Sequence, residues 1–163
     1  MVRIGVISDT HFISTNKVRL PKKVFEVFNG VDRIFHAGDV ISQDVLKQLS
    51  KVAPVYAVRG NMDLSGATKT LPETIVDVIE GMKIGLIHGW GPPHGIKERI
   101  REKLPSDVRV IVFGHTHHPE MEEKDGIFFF NPGSATDKVY TLYNSVGLLT
   151  IDSGKVEGEI IEL

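Results

Sequence analysis

Val2-Arg3-Ile4-Gly5-Val6-Ile7-Ser8-Asp9-Thr10-His11 decides the reading of the whole chain. The run is apolar but for Arg3, it is rich in β-branched residues, and it ends abruptly in polar Ser8-Asp9. It is too short for a stable helix, so it predicts a short buried strand of the parallel-sheet kind. The same design recurs outward from it. Pro21 opens a helix that carries Val24, Val27 and Phe28 at helical spacing until Gly30 stops it. Residues 33–37 predict a second strand, ending at Gly38-Asp39. Ser42 caps a helix with Val45, Leu46 and Leu49 on one face. Residues 55–58 predict a third strand, ending at Arg59-Gly60-Asn61. Strand–helix–strand units of this length imply parallel pairing through right-handed crossovers.

The second half changes character. Strands at 74–79 and 83–87 flank Glu80-Gly81 as a hairpin. A helix follows Pro92-Pro93, with Ile96, Ile100 and Leu104 on one face and Pro105 as its stop. A strand at 108–113 ends at Gly114-His115-Thr116-His117. Asp125-Gly126 ahead of 127–130, and Asp152-Ser153-Gly154 between 146–151 and 156–161, signal two more hairpins. Parallel units followed by hairpins predict a mixed α/β fold, two packed sheets with helices outside, in a single domain over 1–163.

Composition narrows the chemistry. The 163 residues contain no Cys, which excludes disulfides, Fe–S clusters, thiolate zinc sites and a cysteine nucleophile. Lys and Arg number 19 against 21 Asp and Glu, a net charge of −2, which argues against bulk nucleic-acid or anionic-membrane binding. No stretch has the apolar length of a signal or membrane-spanning segment, so a cytoplasmic location is expected.

What ends each predicted strand is the informative pattern. Asp9 and His11 end the first, Asp39 the second and Asn61 the third. His88 follows the hairpin, and His115 and His117 follow the 108–113 strand. In sheets of this kind ligands bind beyond the carboxyl ends of the strands, so seven polar residues would gather on one rim. Any one of them is ordinary, since a strand-end His is usually a satisfied polar residue and Gly-Asp usually a turn. Seven together are hard to explain without a metal. Their number suits two ions with one shared carboxylate, and their N/O chemistry suits Mn2+, Fe2+, Co2+, Ni2+ or Zn2+ alike, with Mn2+ as the expected occupant. Two such ions serve phosphoester hydrolysis by holding a bridging hydroxide and the phosphoryl oxygens.

Asp9-Thr10-His11, Gly38-Asp39, Gly60-Asn61, His88 and Gly114-His115-Thr116-His117 together resemble the ordered motif set of the calcineurin-like metallophosphoesterases. The likeness covers nearly the whole chain and points to the small single-domain bacterial and archaeal phosphodiesterases, whose compact fold the eukaryotic retromer scaffold subunit shares. The resemblance implies a four-layer α-β-β-α sandwich. It implies that Asp9, His11 and His117 bind a first metal, that Asp39 bridges, and that Asn61, His88 and His115 complete a second. It also implies attack by a metal-bridging hydroxide.

One departure stands out. Many members read Gly-Asn-His where this chain reads Gly60-Asn61-Met62, and a methionine cannot protonate a leaving group. The small subfamily commonly lacks that histidine. His94 is the candidate substitute, against a plain solvent-facing helix start. Arg59 is a candidate phosphate contact, against a strand-end ion pair. His36 reads as a buried supporting histidine, His118 as exposed and Asp63 as a brace for a metal-binding histidine. Asn131-Pro132-Gly133-Ser134 reads as a tight turn, and Trp90 as either core packing or a wall that stacks a substrate ring.

Three functions follow. The first is a metal-dependent phosphodiesterase acting on a small phosphoester, with broad substrate acceptance because no lid insertion separates the motifs. The second is a non-catalytic protein-interaction scaffold, disfavoured because all seven positions keep competent donors. The third is a DNA nuclease, for which the chain has neither extra segments nor a basic stripe. No motif sets the oligomeric state, and a homo-oligomer stays open.

Overall fold

The alternation within the first strand, β1 (Val2–Ile7), separates two cores. Ile4 and Val6 point one way and Ile7 the other, into different buried clusters. The computed structural model of the chain describes residues 1–11 and 19–163. After β1 come α1 (Lys22–Val27), β2 (Arg33–His36), α2 (Gln43–Leu49) and β3 (Val55–Ala57). A 3-10 turn at Gly66–Thr70, which carries no sequence signal, leads to β4 (Thr74–Ile79) and β5 (Met82–Ile87). Then follow α3 (Ile96–Glu102), β6 (Val110–Val112), β7 (Pro119–Lys124), β8 (Ile127–Pro132), β9 (Ser145–Asp152) and β10 (Lys155–Glu162).

The strands form two five-stranded mixed sheets, ordered β10-β9-β1-β2-β3 and β4-β5-β6-β8-β7. β1, β2 and β3 pair in parallel, as the strand–helix–strand pattern requires. In the second sheet β5, β6 and β8 are parallel, and hairpins add β4 and β7 at its edges. Between the sheets lie Ile4, Val6, Phe35, Leu86, Val112 and Phe130. The opposite face of the first sheet packs Ile7 and Ile34 against Val24 and Phe28 of the α1 region and Val45 and Leu49 of α2. The outer face of the second packs Ile111, Phe113 and Phe129 against Ile96 and Ile100 of α3. The period-two switch of neighbours such as Phe129 and Phe130 between two cores is what builds four layers. The two-sheet α/β fold expected from the sequence is borne out.

Two local details differ from the sequence reading. Pro21 is extended and precedes the first helical residue instead of being it. β7 reads Pro-Glu-Met-Glu-Glu-Lys, too charged for hydrophobic patterning to mark, because it is an edge strand facing water. The carboxyl ends of β1, β2, β3, β5 and β6 meet on one rim. There Asp9 N donates to Gly38 O at 3.0 Å and Gly114 N to His88 O at 3.1 Å.

Candidate metal centre

Asp9, Asp39 and His88 are almost wholly buried at this rim. The two oxygens of Asp9 differ sharply. Oδ2 accepts from Ser8 Oγ at 2.6 Å and from the His115 amide at 3.0 Å. Oδ1, equally buried, accepts no hydrogen bond among the described residues. An orphaned buried carboxylate oxygen is costly unless something cationic meets it. His117 Nε2 and His11 Nε2 face it at 3.2 Å and 3.5 Å and lie 3.0 Å from each other. Asp9, His11 and His117 thus offer three converging donors, and Asp9, Asp39 and His88 a second trio.

Asp39 sits between the two groups. Its Oδ1 accepts from the Met62 amide at 2.8 Å, while Oδ2 lies 3.4 Å from both His11 Nε2 and His88 Nε2. Asn61 Oδ1 lies 3.1 Å from both His88 Nε2 and His115 Nδ1. Three of the four imidazoles are anchored from behind. His88 Nδ1 bonds Ala37 O at 2.7 Å, His115 Nε2 bonds Gly91 O at 2.8 Å, and His117 Nδ1 bonds the Asp137 carboxylate. One nitrogen fixed outward leaves the other facing the cluster, the arrangement that orients metal-binding histidines. All seven sequence candidates for metal ligation therefore converge, and their mixed N/O chemistry fits divalent transition ions.

The backbone is distorted to achieve this. Asp9, His11, Asp39, His115 and His117 all have positive φ, between 29° and 72°. Asp and His tolerate this region better than most residues, but it still costs energy that the surroundings must hold. Two glycines permit the close approach. A Cβ on Gly60 would lie 2.1 Å from Asp39 Oδ1, and one on Gly114 would lie 2.0 Å from Ser8 Oγ. Buried Asn131 donates to Gly114 O and Thr116 Oγ1, both at 3.0 Å, and Ser134 Oγ donates to Asp9 O at 2.7 Å. The stretch read as a plain turn is a brace that ties both donor loops together. Asp63 braces too, but not as expected: it accepts from the amides of Ile41, Gly60 and Val40, at 2.7, 2.8 and 3.2 Å, and hydrogen-bonds no histidine.

Electrostatics follow from this packing. Burial opposes the charge on Asp9 and Asp39, yet the facing histidines, and for Asp39 also the Met62 amide, hold both below the usual carboxylate range. Burial likewise opposes charging His88, but its hydrogen bond to Asp39 and the Asp9 charge raise it to about 9. His117 is also raised to about 9, against burial, by Asp9 and Asp137.

His36 goes the other way: burial pushes it down to about 4. Its Nδ1 accepts from Gly38 N, so Nε2 carries the proton and donates to Thr10 Oγ1 at 3.1 Å. A histidine kept neutral in the fold gives stability that is complete above its unfolded pKa near 6.5 and is lost as pH falls toward 4. The loss across that window amounts to about 3 kcal/mol. Denaturant melts from pH 7 to pH 4 should show this slope in the wild type and a flatter one in His36→Gln; parallel slopes contradict the assignment.

Asp137 carried no sequence signal beyond its place three residues after Ser134, whose Oγ accepts its amide at 3.0 Å. Its carboxylate also accepts from Val139 N at 2.7 Å, so it is held rigidly behind His117. Asp137→Ala is expected to weaken divalent-ion affinity by about 10–100-fold, measured by calorimetry, with the fold intact.

The remaining candidates surround the donors. Arg59 pairs with Glu73 at 2.6 Å, in a groove that also contains Asn61 and His88. His94 is exposed and lines a neighbouring depression with Lys97, Glu98 and Glu120. The Met62 side chain is exposed at the rim and His118 is exposed as expected. Trp90 is 39% exposed and walls the Arg59 groove, so it is not core.

A family model described as a calcineurin-like phosphoesterase superfamily domain matches residues 2–154. The chain belongs to that superfamily. A probable metallophosphoesterase of Methanothermobacter thermautotrophicus is 42% identical to it over 159 residues, 97% of this chain and 91% of the relative. A phosphodiesterase of Methanocaldococcus jannaschii is 27% identical over 99% of this chain and 100% of its own. Among solved structures, Vps29 of Entamoeba histolytica complexed with zinc superposes with a TM-score of 0.76 at 26% identity, covering 99% of both chains. The family and the metal-dependent phosphoesterase class expected from the ordered motifs are borne out by this membership and these relatives.

Proposed function

We propose that the protein is a dinuclear phosphodiesterase of small phosphoesters. The observation that carries this reading is Asp39 Oδ2, equidistant at 3.4 Å from a histidine of each donor group. Asp9, His11 and His117 would hold one ion, Asn61, His88 and His115 the other, and Asp39 both. Bound divalent ions, Mn2+ before Ni2+, Fe2+, Co2+ or Zn2+, supply Lewis-acid activation of water and of the phosphoryl oxygens.

The chain's own residues do the rest. Ala37 O, Gly91 O and Asp137 keep three imidazoles aimed inward, which pre-organises the donors. The Asn61 amide lines both grooves that flank the centre and so stands where a phosphoryl group enters. Arg59 is committed to Glu73 and acts as a groove wall, with its charge near the phosphate path. His94 lines a neighbouring depression and Met62 cannot donate a proton, so esters with good leaving groups are favoured. Among the described residues no helix is long and apolar enough to cross a membrane. We place the enzyme in the cytoplasm, acting on small molecules and not on bulk nucleic acid.

Protein reloaded with Mn2+ or Ni2+ should hydrolyse bis-p-nitrophenyl phosphate. Lack of turnover with every divalent metal tried would overturn the proposal. A second reading, a non-catalytic protein-interaction scaffold, has the fold likeness to Vps29 in its favour. It predicts ion binding without turnover.

A further inference from the structure

A groove of about 310 Å3 opens beside the donors and shares Asn61 and His88 with them. Beyond those two, its lining includes Ile87, Trp90, Arg59 and Lys103. That size suits one substituent of a small molecule. From this groove we infer a subsite for a flat aromatic or heteroaromatic ring on the substituent that stays on phosphorus, stacked on Trp90 while the phosphoryl group lies at Asn61 and His88. The inference rests on the phosphodiesterase reading and adds to it the chemical class of the substrate's organic part.

Three observations carry it. First, the Trp90 indole is 39% exposed beside the donor cluster, although an indole gains most from burial. Second, it is presented rigidly. Arg99 donates to the carbonyls of Trp90, Pro92 and His94, so the segment bearing the ring is fixed before a ligand arrives. Third, the surrounding charge suits a ring with polar edges. Lys103 Nζ lies 5.9 Å from the indole centroid, and no carboxylate among the described residues pairs with it. Its ammonium, held over the indole as a cation–π partner, would exchange that contact for an oxygen or nitrogen acceptor on a ring that stacks there. The Arg59–Glu73 pair offers further donors and an acceptor on the same lining. An alkyl substituent would use none of these groups. The open rim then accepts many esters but grades them by the ring they carry.

Trp90 is the chain's single tryptophan, so its fluorescence reports this groove alone. Manganese-loaded protein titrated with adenosine 5′-monophosphate should show saturable quenching, whereas ribose 5-phosphate, which lacks the ring, should give none. Kinetically, bis-p-nitrophenyl phosphate and methyl p-nitrophenyl phosphate share a leaving group and differ in the retained substituent. Trp90→Ala should lose about 10-fold more kcat/KM on the diaryl ester than on the methyl ester, in the range of ring stacking on an aromatic side chain. Trp90→Phe should restore most of that difference, which separates a stacking role from a folding defect. Equal losses on both esters, or absence of quenching by the nucleotide, overturn the subsite even if turnover is normal. Quenching without turnover of any ester overturns the phosphodiesterase reading and leaves the ring subsite standing.

Discussion

Asp39→Asn is expected to lower hydrolysis of bis-p-nitrophenyl phosphate by about a thousandfold or more. Partners that only orient a ligand typically cost 10–100-fold, and Asp39 stands closer to the chemistry than that. The substitution is nearly isosteric and keeps an oxygen for the Met62 amide, which bonds Oδ1 at 2.8 Å. What it removes is the negative charge at Oδ2, midway between the two donor groups. The variant should fold, because the backbone around it is held by Asp63 through Val40 and Ile41. Metal content of the purified variant, read by elemental analysis, should fall with activity. Full activity, or full occupancy by two ions, contradicts the shared role of this carboxylate.

The second large effect is on metal loading against pH. In the metal-free protein His88 and His117 both titrate near 9, so both are charged at neutral pH. Each must release its proton before its nitrogen can ligate an ion. Apparent affinity should therefore rise about tenfold per pH unit for each ion, roughly a hundredfold from pH 6 to pH 8, and level off above 9. The stability of the metal-free protein runs the opposite way. With folded values raised above the unfolded 6.5, these histidines stabilise fully below 6.5, and that contribution is lost as pH rises through 9. Calorimetry in two buffers of different ionisation enthalpy should find about one proton released per ion at pH 7. An affinity that is flat from pH 6 to pH 8 contradicts the assignment.

The three cores and the donor loops were legible because both arise from short-range patterns. β1, β2 and β8 alternate strictly, so one residue step moves a side chain between layers. Asp9, Asp39 and His88 stood out because each breaks an apolar run at a strand end. What the sequence hid were braces whose partners lie far along the chain. Ser134 meets Asp9 across 125 residues, and Asp137 meets His117 across 20. Nothing local to Asp137 distinguishes it from a loop carboxylate. Asp63 was read as a histidine partner because it neighbours Asn61, yet its carboxylate turns to backbone amides that needed satisfying. His94 and Trp90 lie close in sequence, but the Arg99-held segment sends them into different depressions.

The donors are divided between the two sheets. Asp9, His11, Asp39 and Asn61 follow strands of the first sheet, and His88, His115 and His117 follow strands of the second. Each proposed ion draws ligands from both, so it acts as a clasp across the open end of the sandwich. A ligand that binds only the folded chain stabilises it by mass action, about 2.7 kcal/mol at a hundred times its Kd. Metal supply would then set how much of this protein survives as well as how much of it works. A cell starved of the ion would lose the enzyme to unfolding and turnover, beyond the loss of its chemistry.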